Sequence, residues 1–326
     1  MDYKKVIKSR ETRIKILRLL SFIPDKLMLK MQYRIYMGRK LDLNNPKRFT
    51  EKIQWYKLNY RDPKMIDCVD KYEVRAYLKR NGLASILTQD YGVYDSADQI
   101  DFAKLPKSFV LKDTLGGGGT SIIIVRNKEV VNWVNIRKQI NTWCIAPVKK
   151  DLGREWPYYS GKKHRIFIEE YMDVPNGLED YKFFCFNGKV EFLYYISNRK
   201  LGMGGKFHIL DKNFKKMNVI RVGDEPGETS AIRPKHYEEM LFIAEKLAKE
   251  FPHVRVDLYE YKDKIKFGEL TFYNASGYMK YNPDNFDYVV GEKFKLPEKF
   301  GGGYKLKIYI FNGGIDNGFC EREAVA

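Results

Sequence analysis

Three short constellations hold the residue types from which nucleotide and metal chemistry are built. In Phe109-Val110-Leu111-Lys112 a cation lies in a β-like run, and Leu115-Gly116-Gly117-Gly118-Gly119-Thr120 follows it. Glycines let backbone N–H groups approach phosphate oxygens with no Cβ in the way. The order excludes the commoner nucleotide loops. A Walker loop carries its Lys after the glycines and runs into a helix, whereas Lys112 precedes them and Ile122-Ile123-Ile124-Val125 reads as a strand. A dinucleotide fingerprint fails on the same ground. Two readings remain: a strand-borne Lys beneath a glycine flap, suited to holding ATP phosphates between two hairpins, or a flexible hairpin loop.

The second constellation is Phe167-Ile168-Glu169-Glu170-Tyr171-Met172, followed by Asp180-Tyr181-Lys182. On a strand of period two, Asp180 and Lys182 share one face and Tyr181 and Phe183 the other. A carboxylate and a cation side by side can read ribose hydroxyls and phosphate, or they can form a cross-strand ion pair. The third is Val254-Arg255-Val256-Asp257-Leu258 with Gly268-Glu269-Leu270-Thr271-Phe272. Arg255 and Asp257 share a face, as do Glu269 and Thr271. If the two runs form a hairpin, Asp257 and Glu269 meet across it as two hard oxygen ligands for Mg²⁺ between nucleotide phosphates. Carboxylates brought close are costly without a cation between them. The alternative is a solvated acidic face on which they never meet.

These side chains need strands beneath them, and the pattern supplies strands. Runs at 109–112, 122–125 and 166–172 are β-like, and Asn187-Gly188 is a strong hairpin turn. A helix over Glu238–Phe251, with Met240, Ile243, Ala244, Leu247 and Phe251 in register, leads into strands near 254–261 and 264–273 joined at Lys262-Asp263. Residues 71–82 and 129–146 read as helical, and Asp95, Asp98 and Asp101 as a polar link to Pro106. Lys71, placed before a helix outside the core, is read as structural. Trp156–Gly161 and Gly202–Lys206 are candidate substrate loops. Ahead of all this, residues 3–40 interleave cations with apolar residues. Ile16, Leu17, Leu20 and Ile23 form one stripe, Pro24 ends the first helix, and Asp25 caps a second running to Gly38 with Leu27, Met28, Met31 and Ile35 on one face.

With 326 residues, 44% hydrophobic and 15% aromatic, the chain is globular and large enough for two or three closely packed lobes. The expected division is 1–44 as a basic amphipathic segment, 45–105 as the N-terminal part of the main lobe, 106–298 as the core, and 299–326 as an appendage. Its four Cys and four His lie far apart with no CxxC or HExxH, which argues against a thiolate or imidazole metal site and for a reducing compartment, the cytoplasm. No apolar run of membrane-spanning length and no secretory leader is present. The formal charge of +17 draws phosphates, anionic lipid, nucleic acid or acidic sugars. Nucleic acid is the weakest of these, since the aromatics follow strand and core periodicity and no recognised motif occurs.

Taken together, Lys112 with its glycine loop, Glu169–Met172, Asp180-Tyr181-Lys182 before Phe186-Asn187-Gly188, and Arg255-Val256-Asp257 before Gly268–Phe272 occur in ATP-grasp order and spacing. The strings resemble the TupA-like family, named for teichuronopeptide synthesis, over roughly residues 45–298, including Asn44–Lys57 and Asp70-Lys71. That resemblance implies an α+β ATP-grasp fold, two α+β lobes clamping ATP between antiparallel sheets, with an N-terminal helical segment. It implies ATP and Mg²⁺ as cofactors. Lys112 and Gly116, Gly117, Gly118 and Gly119 would hold phosphate. Glu169, with the Tyr171 and Met172 backbone, would meet adenine, and Asp180 the ribose. Asp257, Glu269 and Thr271 would hold the metal, while Arg255 and Lys182 would serve the chemistry, Arg255 on the acyl-phosphate side. Many ATP-grasp enzymes have Asn where Thr271 stands, so Asn274 is an alternative ligand. The implied function is ADP-forming ligation of a uronic-acid glycan, or its nucleotide- or lipid-linked precursor, to an amino acid or other amine in bacterial surface polysaccharide (capsule, O-antigen or teichuronopeptide) synthesis. Peripheral contact with anionic membrane would follow from the basic helices. A glycosyltransferase of the same pathway is the alternative, although no Asp-x-Asp metal motif stands in a plausible strand end.

Overall fold

A computed structural model of the chain describes residues 9–117, 121–145, 153–174, 177–200, 204–227 and 231–297. Within them, two sheets built by alternating side chains face each other. The smaller has the order β1-β4-β2-β3, with β1 at Asp90–Tyr94, β2 at Phe109–Asp113, β3 at Ile122–Val125 and β4 at Ile166–Glu170. Phe109, Leu111, Val125, Ile166 and Ile168 pack beneath the helix Trp133–Cys144 through Ile140 and Trp143. The odd-even alternation turns Val110, Lys112, Ile122, Ile124, Phe167 and Glu169 to the opposite face.

The larger sheet contains β5 (Leu178–Phe186), β6 (Lys189–Lys200), β7 (Gly204–Asp211), β9 (Glu225–Pro226), β10 (His253–Tyr261) and β11 (Lys264–Thr271) in the order β11-β10-β5-β6-β7-β9, while β8 (Ile220–Arg221) pairs separately with β12 (Tyr281–Asn282). Both expected hairpin turns form, with φ of 49° and 78° at Asn187-Gly188 and of 51° and 57° at Lys262-Asp263. Positive φ at both centres matches the right-handed strand twist. One face of β5 and β10, with Tyr181, Phe183, Cys185, Val254, Val256 and Leu258, packs in the same core as the helix Tyr237–Ala248. The other face is divided. One end carries Phe184, Phe186 and His253, where Phe49 sits edge-on at 5.4 Å from the Phe186 ring and 5.2 Å from the His253 ring. The far end carries Lys182, Arg255 and Asp257. Each buried aromatic contributes about 1.5–3 kcal/mol, so one end of this face anchors the other.

Phe49 opens the helix Phe49–Asn59, on which α2 (Asp25–Met37) packs, preceded in the chain by α1 (Arg10–Leu19). A 3₁₀ turn, Leu20–Phe22, precedes Pro24, and Gly38 ends α2 at φ 74°. Two expectations change here. Pro24 occupies the cap position, and the Asp25 carboxylate takes Arg154 at 3.1 Å instead. The buried face of α2 is Met28, Leu29, Tyr33 and Met37 against Trp55, so of the expected stripe only Met28 packs. Polar pairing chose between two overlapping stripes: Tyr33 Oη lies 2.8 Å from Thr50 Oγ1, and Tyr278 donates to Gln32 at 2.8 Å.

The boundary drawn at 105/106 cuts the smaller sheet, because β1, which precedes the expected polar link and was not expected as a strand, pairs with β4. The expected appendage, 299–326, lies outside the described residues, as do residues 1–8. Among the described residues, no helix is long and apolar enough to cross a membrane.

Candidate functional site

The inner faces of the two sheets enclose a cavity of about 1540 Å³. That exceeds the roughly 300–1,000 Å³ of an ordinary small-ligand site and leaves room for a nucleotide and a second molecule. Its roof is the smaller sheet. Val110, Ile122, Ile124 and Phe167 line it, with Phe267 and Leu270 contributed by β11 of the larger sheet, leaving an apolar slot for a flat ring. Lys112 crosses to β4 and forms an ion pair with Glu169, whose other oxygen accepts from Thr88 Oγ1 at 2.7 Å. Burial alone would raise the Glu169 carboxyl; Lys112 and Thr88 outweigh it and hold it below the ordinary value. Tyr171 and Met172 line the cavity beside it.

At the glycine loop, Gly116 and Gly117 border the cavity, while Gly118, Gly119 and Thr120 lie outside the described residues. A Cβ on Gly116 would stand 2.8 Å from Ser121 Cβ and 3.0 Å from Asp113 Cβ, so the loop closes that tightly only with glycine. Lys71 is a correction. Its backbone N–H donates to Thr114 at 2.9 Å, and its ammonium lines the cavity and donates to the Gly116 carbonyl. Burial lowers its pKa; Glu269 opposes the shift and the like charge of Lys112 adds to it. Two lysines thus flank the flap. The adjoining pair Asp70-Lys71 lay within the resemblance, and that was the signal for it.

The floor is an ionic chain across three strands. Asp257 faces Glu269 directly on β10 and β11, and Lys182 on β5. Gly268, the residue opposite no partner in the shift between Asp257 and Leu258, bulges the strand; a Cβ there would meet Asp257 O at 3.0 Å. The two acids meet through a guanidinium. Arg255 donates to Asp257 Oδ1 at 2.6 Å and Oδ2 at 2.7 Å, to Glu269 Oε1 at 2.9 Å, and to Asn274 Oδ1. Lys182 holds Asp180 at 2.9 Å and also Asp257. Burial would raise the Asp257 carboxyl, and Arg255 and Lys182 together bring it below its usual value. Burial likewise opposes the charge of Arg255, and Asp257 overrides it upward.

This network redistributes the expected roles. Asp180 and Asp257 are 0% exposed and are not among the residues lining the cavity, and Asp257 is engaged by cations on both oxygens. Arg255, Lys182, Glu269, Thr271 and Asn274 do line the cavity. Three carboxylates (Asp180, Asp257, Glu269) against two cations (Lys182, Arg255) leave one negative charge, and Glu269, 46% exposed, is where it meets the cavity. Thr271 Oγ1 lies 3.1 Å from Glu269. Hard oxygens with a net negative charge suit Mg²⁺.

Beyond Asn274 the chain makes a left-handed turn, with φ of 43°, 54° and 72° at Ala275, Ser276 and Gly277. Non-glycine residues in this region are strained and persist only when their surroundings hold them. Here the buried Lys57 donates to Ser276 O at 2.9 Å and lies 2.8 Å from Ser276 Oγ, and Ser276 donates to Glu155 at 2.5 Å. Glu155, Ser276 and Tyr158 line this end, as do Arg18 and Ser21 of the N-terminal segment. Sequence patterning carried no signal for Glu155 or Ser276. In the expected aromatic loop, Trp156 instead belongs to the core, donating to Tyr60 O at 3.0 Å. Of Gly202–Lys206, residues 201–203 lie outside the described residues, and Gly205 borders the cavity. One imidazole cluster stands apart: His236, Glu260 and Asp263 place ligand atoms within 4.8 Å of one another, with Lys235 on Asp263 at 2.9 Å.

Solved structures similar to the chain include a D-alanine–D-alanine ligase from Bacillus anthracis complexed with ATP, at 17% identity over 63% of this chain and 55% of that one, TM-score 0.39. An N5-carboxyaminoimidazole synthetase from Staphylococcus aureus complexed with ADP is 13% identical over 78% and 60%, TM-score 0.43. An L-amino acid ligase from Bacillus licheniformis is 14% identical over 72% and 49%, TM-score 0.41. The chain thus spans 49–60% of the length of these three proteins. No curated protein matches it. A family model described as TupA-like ATP-grasp matches residues 51–295, which take in the cavity's two sheets and its ionic floor, and the chain belongs to that family.

Proposed function

We propose that the chain is an ATP-dependent carboxylate–amine ligase acting in bacterial surface-polysaccharide synthesis, in the cytoplasm. The observation that carries this reading is the cavity between the sheets, with Lys71 and Lys112 beside a glycine flap on one side and the net-negative Glu269 end of the ionic floor on the other. A carboxylate oxygen of the first substrate attacks the γ-phosphorus of ATP and ADP departs. The amine nitrogen then attacks the acyl carbon, phosphate leaves, and the nitrogen loses a proton. Lys71 and Lys112 offset phosphate charge, and Glu169 with the Tyr171–Met172 backbone orients the base. Arg255, aimed by Asp257 and Asn274, faces developing oxyanion charge. Glu269 and Thr271, with Asp257 behind them, would hold Mg²⁺. When bound, the metal would supply charge neutralisation to the transferring phosphoryl group.

The resemblance puts a uronic-acid glycan, or its nucleotide- or lipid-linked precursor, on the carboxylate side and an amino acid or other amine on the other. Exposed cations on the N-terminal helices would add reversible attraction to an anionic membrane face, about 1 kcal/mol for each one engaged. Incubating the chain with ATP, Mg²⁺ and a panel of uronates and amino acids should release ADP only when both partners are present. Release of AMP contradicts the mechanism, and thermal stabilisation by UDP-sugars but not by ATP supports the glycosyltransferase alternative.

Lys71 gives a second test. Free, it sits below the ordinary lysine value of 10.5. A phosphate against it favours the charged form and lifts it again, so between those two values nucleotide binding takes up a proton. Calorimetry of ATP binding at a series of pH values stepped down from that ordinary value, in buffers of different ionisation enthalpy, should show proton uptake that Lys71→Met removes. A heat independent of buffer places Lys71 away from phosphate.

A further inference from the structure

The N-terminal helices leave large apolar side chains in solvent: Leu19 is 75% exposed, Phe22 78%, Leu27 52%, Met31 40% and Ile35 49%. Single exposed hydrophobes are normal, but five between residues 19 and 35 form a concentration that calls for a partner. On α2, Leu27, Met31 and Ile35 stand four residues apart, one above another along the helix. Lys26, Lys30 and Arg34, all exposed, make a second row at the same spacing. Residues 15–40 contain seven cations (Lys15, Arg18, Lys26, Lys30, Arg34, Arg39, Lys40) and a single acid, Asp25. That acid is engaged: Arg154, itself 3% exposed, bonds Asp25 and the Leu20 and Ser21 carbonyls at 3.1–3.2 Å, which pins the turn between the helices.

We infer that α1, the turn and α2 form an interfacial docking element for anionic lipid bilayers. Leu27, Met31 and Ile35 enter the headgroup–acyl boundary, and the cations meet the headgroups. Charge complementarity selects this occupant. A second copy of the chain would set like cations against each other, and nucleic acid would satisfy the cations while leaving the apolar row in water. The docking differs from purely electrostatic attraction because its apolar part survives salt. The same segment contributes Arg18 and Ser21 to the cavity lining, so docking brings that end of the cavity toward the bilayer. A lipid-linked acceptor would then approach from the membrane side, a consequence that rests on the ligase reading, whereas the docking does not.

The test is co-sedimentation of the full chain with vesicles of phosphatidylglycerol and phosphatidylcholine, or of phosphatidylcholine alone, at low salt and at about 0.5 M salt. The intact chain should pellet with anionic vesicles, and a fraction should persist at high salt. Leu27→Gln/Met31→Gln/Ile35→Gln should weaken partitioning at least about tenfold and abolish the salt-resistant fraction. Lys26→Gln/Lys30→Gln/Arg34→Gln should lose chiefly the low-salt binding. Circular dichroism and ADP release with soluble substrates should be unchanged in the apolar triple variant, whose residues touch no part of the cavity. Equal pelleting of that variant and the intact chain overturns the proposal. So does a dimer, seen by sedimentation velocity, that the same variant dissociates. If no protein releases ADP yet the vesicle results hold, the ligase reading fails and the docking stands.

Discussion

Lys182→Met is expected to lower the unfolding free energy by about 3–5 kcal/mol, the cost of stranding a buried charge whose partner has been removed. Its ammonium lies between Asp180 and Asp257, each 0% exposed, and methionine keeps most of the length of the side chain while removing the charge. Chemical denaturation measures the loss. Adding Asp180→Asn should recover part of it, because one of the two carboxylates that Lys182 neutralises is then itself neutral. The pH dependence follows from the depressed Asp257 carboxyl. Its contribution is present above the unfolded carboxylate value and is lost as pH falls through the folded one. With Lys182 gone the folded value rises, so acid unfolding should begin at higher pH than in the intact protein. A loss below about 1 kcal/mol would mean that the two carboxylates do not depend on Lys182.

Glu269→Gln should do the reverse, sparing the fold and damaging turnover. Glu269 is 46% exposed and bonded to Arg255 at 2.9 Å, so neutralising it leaves Arg255 on Asp257 and should change stability by less than about 1 kcal/mol. It removes the one carboxylate of the floor that faces the cavity. ADP release should fall on the order of 100-fold, with the half-maximal Mg²⁺ concentration displaced upward. Unchanged turnover with an unchanged Mg²⁺ requirement would take Glu269 out of any metal site.

The contrast between these two residues marks how far the sequence carries. Turns and faces were legible because their causes are local. Positive φ at Asn187-Gly188 and Lys262-Asp263 makes hairpins, and period two puts Asp257 opposite Glu269 and Tyr181 opposite the polar face. Which charge satisfies which is not local. Asp257 has three ionic neighbours from three strands, and patterning cannot tell that Arg255 and Lys182 occupy its oxygens while Glu269 stays open. Lys71 was misread because its place at the cavity comes from docking against Thr114 and Gly116, more than forty residues away along the chain. β1 was missed because every one of its five residues is only half-buried, which erases the alternation a strand normally shows. The face of α2 was misjudged because polar contacts with Thr50 and Tyr278, invisible in a hydrophobic pattern, decided it.

On the proposed reading of the cavity, the ion pair between Lys112 and Glu169 would bear on purine selectivity. In the free cavity each satisfies the other, so a nucleotide that draws Lys112 to its phosphates leaves a largely buried carboxylate in want of a donor. A base offering an exocyclic amino group at that point repairs the loss. A base offering a carbonyl oxygen there meets the carboxylate lone pair to lone pair, and a stranded buried acceptor costs about 1–3 kcal/mol, more when it is charged. Discrimination between adenine and guanine would then be set less by the attraction of the right base than by the penalty the departing lysine leaves for the wrong one.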